Sequence, residues 1–521
     1  MTIPWLTLAI ALPALGSLIV ALIPRERVEL AKRVTLACTL VVLAVIGAMA
    51  LNFDPGGPRL QFTEVHPWIA RFGVHYAVGV DGIALTLIVL SALLVPLVVL
   101  AAWKEQEEAA DRGKGYFALI LLLEAMMIGV FAATDVFLFY VLFEAMLIPV
   151  YFMIGRYGRG EDRRRAAVKF LLYSLLGGLL MLVSVIGVYA YSAQAGNGTF
   201  LWSELVGPEG LLSGVDTTAA RWLFLGFFVA FAIKAPMWPV HTWLPTAAGS
   251  SRPGTAVLLV GVLDKVGTYG MLRYCLELFP EAAKWFVWPV VVLSLVSIIY
   301  GAVVAVGQSD MLRLIAYTSV SHFGFITLGI FAMTSQGQSG AALYMVNHGF
   351  STGALFLIVG FLIARNNGSA QIADYGGLQK TAPVLAGTFL VAGLSSLALP
   401  GLSPFVSEFL VFVGTFTVLP VPAVIATVGV VLAALYILWL YQRTMTGPLR
   451  EKLAGVTDLS GRELWAVGPL VAVIILFGVF PQPLLDVINP AVEQTMQQID
   501  VSDPAPAVGV DQAGGQEGAD E

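Results

Sequence analysis

The chain has 521 residues, of which 58% are hydrophobic and only 12% are charged, and its mean hydropathy is +0.85. A soluble protein needs about 25% charged residues to cover its surface, so this composition excludes a soluble globular protein. The formal net charge is −6. We expect the surface to contact lipids, and we expect no nucleic-acid partner.

Apolar stretches follow one another along the chain when hydropathy is averaged over about 19 residues. They predict an all-α polytopic membrane protein with about fourteen transmembrane helices. The first stretch is long enough to span and has no small-residue cleavage site, so we interpret it as a helix and not as a removed signal. The predicted spans are residues 3–23, 31–51, 82–103, 115–133, 135–155, 166–191, 221–244, 253–274, 283–306, 311–333, 339–364, 383–416, 421–443 and 464–488.

The distribution of lysine and arginine predicts the orientation in the membrane, because these residues are enriched in inner loops. With the N-terminus outside, 21 of the 28 basic residues fall on the inner side and only five on the outer side. An even number of spans then places the C-terminus outside as well. The tail, residues 500–521, is acidic and contains no Lys or Arg, so we predict that it is disordered.

Cofactor-binding motifs are missing from the sequence. Cys38 and Cys275 lie in separate predicted spans without neighbouring His or Cys, which is too little for an iron–sulfur cluster or a zinc site. The sequence contains no Walker loop, and no dinucleotide-binding glycine motif follows a soluble strand. We therefore expect no redox cofactor and no ATP hydrolysis in this chain.

Five ionisable residues fall near the middle of predicted spans: Glu124, Glu144, Lys234, Lys265 and Glu408. Each costs at least about 2.5–3.5 kcal/mol at the bilayer centre, so five of them together indicate a function. A structural role is the alternative for each of them. Glu144 and Lys234 could form a static ion pair, and a structural role suits Glu124 about as well as a functional one.

Further polar residues accompany these five. Asp264 is equally well explained as a simple partner of the adjacent Lys265. His241, His322 and His348 are individually typical of buried, hydrogen-bonded histidines, but they lie in or beside spans that carry the ionisable residues. This placement favours a proton relay over three unrelated core histidines.

Two of the predicted spans contain helix breaks. Pro236 and Pro239 cannot donate backbone hydrogen bonds, so the helix must end or kink just after Lys234. Pro400, with Gly401 and Pro404, interrupts the span that carries Glu408. Broken helices at matching places in two blocks of five spans indicate inverted repeats with ion sites near the midplane.

These features predict five regions. They are three N-terminal helices with an outer loop (1–110), a first repeat (111–280), a second, inverted repeat (281–445), an inner loop with the last helix (446–499), and the tail (500–521).

Five segments resemble the antiporter-like subunits of respiratory complex I, a family related to Mrp-type cation/proton antiporters and membrane-bound hydrogenases. They are "FLFYVLFEAMLIPVYFMIG", "FAIKAPMWPVHTWLP", "VLLVGVLDKVGTYGMLRY", "MLRLIAYTSVSHFGFITLGI" and "YMVNHGFSTGALFLIVGFL". Most family members carry a lysine in the second broken helix, whereas this chain has Glu408, which is similar to the M-type branch. The family often has an acidic residue directly after "HTWLP", where this chain has Thr246.

The resemblance implies a role for each matching residue. Glu144 would be the carboxylate that tunes Lys234, the central proton-binding lysine. Lys265 would join two half-channels through a hydrated polar axis that includes the three histidines, and Glu408 would be the terminal site.

The resemblance also implies a cellular context. The chain would be a proton-translocating part of NADH:quinone oxidoreductase in a bacterial cell membrane, with the L- and N-type subunits as neighbours. NADH, FMN, iron–sulfur clusters and quinone would be bound by other subunits. A subunit of an Mrp-type sodium/proton antiporter remains the alternative, whereas a purely structural scaffold conflicts with the cost of five midplane charges.

Overall fold

The computed structural model describes residues 3–104, 113–196 and 198–505. Within these ranges, thirteen helices or helix pairs are long and apolar enough to cross a membrane. The α-helices of the first half are α1 (Trp5–Leu22), α2 (Val28–Leu51), α3 (Gly82–Ala102), α4 (Gly113–Ala132), α5 (Val136–Ala145), α6 (Leu147–Gly155), α7 (Arg163–Ala195), α8 (Trp202–Leu205), α9 (Thr217–Lys234), α10 (Trp243–Ser250), α11 (Pro253–Leu258) and α12 (Lys265–Gly270). Those of the second half are α13 (Pro280–Trp285), α14 (Val287–Val306), α15 (Met311–Phe331), α16 (Ser335–Arg365), α17 (Pro383–Ser396), α18 (Ser403–Val418), α19 (Pro420–Met445), α20 (Gly461–Val479) and α21 (Gln482–Gln498).

The predicted α-helical membrane fold is confirmed, with one β-hairpin in the loop after α2. Strands β1 (Gln61–Ile69) and β2 (Val74–Val80) are antiparallel, with His66 opposite Tyr76. Gly73 closes the turn with a φ of +61°, a left-handed conformation that suits glycine. A side chain there would also collide with the Gly198 carbonyl oxygen, 2.1 Å from the position of a Cβ atom.

Both predicted helix breaks are present. Helix α9 ends at Lys234 and α10 begins at Trp243, so residues 235–242 form the first break. Helix α17 ends at Ser396, and the second break is residues 397–402, with positive φ at Ala398 (+56°) and Gly401 (+91°). Pro404 does not interrupt a helix as the sequence suggested. It lies in the first turn of α18, where its missing N–H has no intrahelical partner to lose.

Two segments of π-helix flank α12 within the span Pro253–Leu276. They are Leu259–Leu263 and Met271–Leu276, and the whole span is buried inside the bundle. A π-helix shifts the backbone hydrogen bonds by one residue and often marks a functional site. Lys265 is the first residue of the α-helical segment between them.

The predicted last span, 464–488, is wrong at its C-terminal end. Helix α20 ends at Val479 and a separate helix, α21, follows, because Pro481 and Pro483 cannot donate to the carbonyl groups one turn earlier. Helix α21 packs against α3 and α16. The Asp503 carboxylate accepts a hydrogen bond of 2.9 Å from the Ser335 amide at the start of α16. In the predicted disordered tail, Asp500, Val501 and Asp503 thus make hydrogen bonds to the bundle, whereas 506–521 lie outside the described residues. Disorder of the tail remains a prediction.

A buried ionic cluster joins α21 to the rest of the bundle. The Arg273 guanidinium lies 2.6 Å from Asp81 and 3.8 Å from Glu277. Glu277 also pairs with Arg59 and accepts a hydrogen bond of 2.6 Å from Thr495 on α21. These contacts connect the loop before the hairpin, the N-terminus of α3, the Lys265 span and the C-terminal helix.

The number of fourteen spans, the inverted repeats and the five-region division remain predictions. The predicted span 383–416 corresponds to α17 and α18, which are shorter apolar helices on either side of the second break.

Candidate functional site

Lys265 and two of the predicted histidines form a connected group in the centre of the bundle. The Lys265 ammonium lies 2.7 Å from Nδ1 of His348 and donates to the Val260 carbonyl in the π-helical segment. The rings of His348 and His322 are 5.1 Å apart between centroids, nearly perpendicular to each other. Helices α12, α15 and α16 therefore bring together three residues that are far apart in the sequence.

Two tyrosines extend this group to Glu408. The Tyr436 hydroxyl lies 3.4 Å from Nε2 of His322, and the His322 and Tyr344 rings are 5.9 Å apart between centroids. Tyr344 donates a hydrogen bond of 2.9 Å to Oε2 of Glu408. Lys265, His348, His322, Tyr344 and Glu408 thus form a continuous line of neighbouring polar groups, which we call the central axis.

The second break places Glu408 at the end of the central axis. Asn347, next to His348 on α16, donates 2.7 Å to the carbonyl of Ser403, the first residue of α18. This hydrogen bond holds the start of α18 against α16. Glu408 lies five residues further along α18 and is buried. The Asn347 contact therefore fixes the half-helix that carries the carboxylate.

Glu144 and Lys234 lie on neighbouring helices without a direct ion pair between them in the described structure. The Lys234 ammonium is 4.7 Å from the centre of the Phe143 ring and 6.0 Å from that of Phe170. No hydrogen-bond acceptor among the described residues contacts Lys234 Nζ, and Oε1 of Glu144 is likewise buried without a donor. The two groups are therefore separated, and the static ion pair considered for the sequence is not present between them.

The first break satisfies its freed backbone groups locally. Because Pro236 has no N–H, the Ala232 carbonyl accepts instead from the Met237 amide at 2.9 Å. The Ile233 carbonyl accepts from the Trp243 indole at 2.8 Å. The chain can therefore end α9 at Lys234 without leaving these carbonyl groups unpaired, as the membrane interior requires.

His241 is placed apart from the other two histidines. It lies in the first break with Tyr300 5.1 Å and Tyr317 6.2 Å away between ring centroids. Neither of its ring nitrogens has a hydrogen-bond partner among the described residues. The structure thus assembles a pair of histidines on the central axis and a third one beside the first break.

A surface cavity lies next to this break. Its volume is about 560 Å³, and Asp162, Arg165, Lys169, Tyr173 and Thr246 contribute to its lining. The Lys169 ammonium donates to the Thr242 carbonyl at 2.7 Å and to the Thr246 hydroxyl at 3.2 Å. Thr246, where the family often has an acidic residue, is thus a hydrogen-bond partner of a basic residue.

Glu124 is not joined to the central axis by any described contact. It is fully buried on α4, and both of its carboxylate oxygens lack a donor among the described residues. Helix α4 packs against α1, α2, α3 and α5. A relay role for Glu124 remains a prediction without a neighbour to support it.

Sequence reasoning missed the two tyrosines and the π-helical segments. Tyr344 precedes His348 by four residues, which places both on one face of α16, and this spacing was a usable signal. Tyr436 lies 28 residues after Glu408 on another helix, and no local pattern distinguishes it from a core tyrosine. The π-helical segments likewise have no sequence signature comparable to proline.

Comparisons with known proteins identify the family of this chain. Residues 133–435 match the family described as "NADH:quinone oxidoreductase/Mrp antiporter, TM", and residues 60–130 match "NADH-ubiquinone oxidoreductase chain 4, amino terminus". The chain is 51% identical over 533 residues to NADH-quinone oxidoreductase subunit M of Mycobacterium tuberculosis, with 97% of this chain and 96% of that protein covered.

Solved structures of related complexes have a similar fold. A chain of respiratory complex I from Thermus thermophilus with bound NADH superposes with a TM-score of 0.85 at 33% identity, covering 95% of this chain and 99% of that one. A chain of the Mrp complex from Dietzia sp. DQ12-45-1b has a TM-score of 0.83 over 96% of this chain and 100% of that one. Its 23% identity means that it shares the fold alone. The chain belongs to the NADH:quinone oxidoreductase/Mrp antiporter family, in its group of NADH-quinone oxidoreductase M subunits.

Proposed function

We propose that this chain moves protons across a membrane as the M subunit of an NADH-quinone oxidoreductase, with NADH oxidation and quinone reduction driving the movement from other subunits. The observation that carries the proposal is the central axis, where titratable side chains adjoin one another from Lys265 to Glu408 within an apolar bundle. Such a row is costly in a membrane unless it conducts or binds ions.

In this proposal the Glu144–Lys234 pair and the central axis have distinct roles. Glu144 and Lys234 form the first proton-binding pair, next to the first break and to the surface cavity that Lys169 helps to line. Lys265 passes protons to His348 and His322, and Glu408 is the terminal site. His241 would serve as an auxiliary relay group, as the family resemblance implies, and Glu124 as another because of its depth in an apolar span.

The separation of Glu144 and Lys234 supports a switching pair. Bringing a carboxylate from far away to about 4 Å from an ammonium changes the energy by up to about 4 kcal/mol at an effective dielectric near 20. Moving a proton against ~150 mV costs about 3.5 kcal/mol. Closing and opening this one pair can therefore drive a step of the required size.

The cellular context of the proposal follows from the same family. The L- and N-type subunits would be the neighbours, NADH, FMN, iron–sulfur clusters and quinone would lie in other subunits, and the membrane would be a bacterial cell membrane with both termini of this chain outside. Protons are preferred over sodium because the described polar groups on the axis are mainly histidine, tyrosine, lysine and a single carboxylate. These groups offer few of the oxygen ligands that a hard cation needs.

The test is NADH-driven proton pumping in membrane vesicles, normalised to the amount of assembled complex. Glu144→Ala and Lys234→Ala should each reduce pumping sharply, and Glu144→Asp should be milder because the charge survives. Glu408→Gln should impair pumping more than Glu408→Lys, which restores an ionisable group. NADH oxidation by an artificial electron acceptor should be unchanged in all five variants. Normal pumping by either alanine variant would disprove the proposal, and pumping that requires a sodium gradient would favour the antiporter alternative.

A further inference from the structure

Asp264 is a buried carboxylate without a conventional partner. It is fully inaccessible to solvent, and neither carboxylate oxygen receives a hydrogen bond from any described residue. Its neighbour Lys265 does not neutralise it by direct contact, because the Lys265 ammonium is bound to the Val260 carbonyl and to His348. The simple sequence explanation, a local pair of adjacent residues, therefore does not describe the geometry.

The position of Asp264 on its helix places it between the two lysines. Gly267, three residues later, packs against the last turn of α9, since a Cβ atom there would lie 2.6 Å from the Phe231 carbonyl oxygen and 2.7 Å from the Ala235 amide. Thr268, four residues later, faces α16, where its hydroxyl contacts Met345 Sδ at 2.9 Å. At about 100° per residue, Asp264 projects between these two directions.

Each direction leads to one of the lysines. The turn of α9 that Gly267 contacts carries Lys234, and α16 carries His348, the partner of Lys265. The Asp264 carboxylate interacts electrostatically with both Lys234 and Lys265. Asp264 therefore lies in the gap between the Glu144–Lys234 pair and the central axis, and none of the described hydrogen bonds joins Lys234 to Lys265.

We propose that Asp264 carries protons between Lys234 and Lys265. This inference rests on the proposed function, in which both lysines bind protons. In the first step an N–H bond of the Lys234 ammonium breaks and an O–H bond forms on the Asp264 carboxylate, leaving Lys234 as a neutral amine. In the second step that O–H bond breaks and an N–H bond forms on a neutral Lys265. An N–H bond of the Lys265 ammonium then breaks as its proton passes to Nδ1 of His348, which returns Lys265 to the neutral amine. Lys234 regains a proton from the side of Glu144, so charge and atoms balance over the cycle.

A static counter-ion is the competing explanation. In that case Asp264 stays ionised throughout turnover and only offsets the charge of the two lysines. The two roles differ in one observable property, because a proton carrier must be a neutral carboxylic acid during part of the cycle and a counter-ion must not.

The experiment compares wild-type complex with Asp264→Asn and Asp264→Glu in membrane vesicles. Asn keeps the shape without an exchangeable carboxyl proton, so pumping should fall on the order of 10²-fold, the lower end of the typical loss for a removed proton-transfer group. Glu keeps the carboxyl group and should retain more than Asn. Asp486→Asn, an identical change at an exposed position on α21, should pump normally.

Infrared difference spectra during NADH turnover provide the second measurement. The wild-type complex should show a carboxylic-acid C=O band that Asp264→Asn removes, that Asp264→Glu shifts, and that Asp486→Asn leaves in place. If the complex with Asp264→Asn does not assemble, the shift of the C=O band in the Asp264→Glu complex still assigns that band to residue 264.

Three results would overturn the inference. Wild-type pumping by assembled Asp264→Asn would show that no essential proton passes through this residue, provided that Lys234→Ala abolishes pumping. A turnover spectrum with no band that responds to Asn or Glu would identify a static counter-ion. Normal pumping by Lys234→Ala would instead remove the proposed function itself, and this inference with it.

Discussion

The carboxylate of Glu144 lies directly against the backbone of Gly178 on α7. A Cβ atom at position 178 would be 1.8 Å from Oε1 and 2.8 Å from Oε2 of Glu144. The adjacent Gly177 packs against Ala230 on α9, one turn before Lys234, with 3.0 Å between a Cβ atom at 177 and the Ala230 Cα. The two glycines thus let one helix fit closely between the carboxylate and the helix that carries the lysine.

Gly178→Ala should therefore displace the Glu144 carboxylate and leave the fold intact. The methyl group would meet the flexible end of a side chain and not backbone, so the bundle has no reason to rearrange. A misplacement of about 1 Å in a reacting group can cost up to 10²-fold in rate, and we expect pumping to fall at least severalfold. The measurement is NADH-driven pumping per assembled complex.

The matched control for this variant lies on the same helix. A Cβ atom at Gly187 would also meet the end of a side chain, Leu223, at 2.4 Å, but no ionisable group. Gly187→Ala should pump normally. Glu144→Asp shortens the side chain by one carbon–carbon bond, about 1.5 Å, and so makes room for the added methyl group. The double variant Gly178→Ala, Glu144→Asp should therefore pump more than Gly178→Ala alone. Equal losses in the two glycine variants would contradict the positioning role.

Tyr344→Phe should impair the terminal site without disturbing packing. The substitution removes only the hydroxyl that donates to Glu408 at 2.9 Å and keeps the ring beside His322. Hydrogen bonds to charged groups contribute about 1.5–3 kcal/mol, so pumping should fall by about tenfold or more if that bond forms during each cycle. Tyr375→Phe removes a comparable 2.6 Å hydrogen bond to the Ser369 carbonyl, away from the central axis, and should leave pumping unchanged.

A second measurement separates a relay from a structural role for Tyr344. If the hydroxyl acts through Glu408, adding Tyr344→Phe to Glu408→Gln should cause little further loss, since the two residues then belong to one unit. If the double variant instead loses pumping by the product of the two single losses, Tyr344 acts independently of Glu408.

Arg273→Gln should lower stability. It leaves Asp81 and Glu277 buried without their shared cation, and breaking a buried pair typically costs about 3–5 kcal/mol. The thermal inactivation temperature of the solubilised complex should fall. Lys284→Gln breaks an exposed ion pair with Glu281, where we expect a change of at most about 1 kcal/mol. Equal stability of the two variants would show that the buried cluster does not hold the bundle together.

Sequence reasoning identified residues whose effect does not depend on distant parts of the chain. These are charged residues, which are costly in an apolar span, and prolines, which break the helix in which they lie. Lys234 and Glu408 stand out because charge in an apolar span is expensive, and Pro236 marks its own helix break. The hairpin at Gln61–Val80 was missed because hydropathy over long windows does not detect short alternating strands. Only the second strand, "VHYAVGV", contained the alternation that predicts a strand.

The connections between these residues depend on tertiary packing. The contact of Lys265 with His348 spans 83 residues and that of Tyr344 with Glu408 spans 64, so neither follows from spacing along one helix. Pro481 and Pro483 did carry a usable signal for the end of α20, but the continuing apolar residues outweighed it in the hydropathy average. Packing of Gly178 against Glu144 has no sequence signature, because a glycine inside a membrane helix is ordinary.

The position of α21 limits where a reporter can be attached to this chain. Thr495 and Gln498 bind Glu277 and Arg59, and Asp503 holds the start of α16. A fluorescent protein or affinity tag that replaces the sequence after Val479 would strip these partners from buried charges and destabilise the complex. A tag joined after residue 505 preserves every one of these contacts, and we expect it to be compatible with both assembly and pumping.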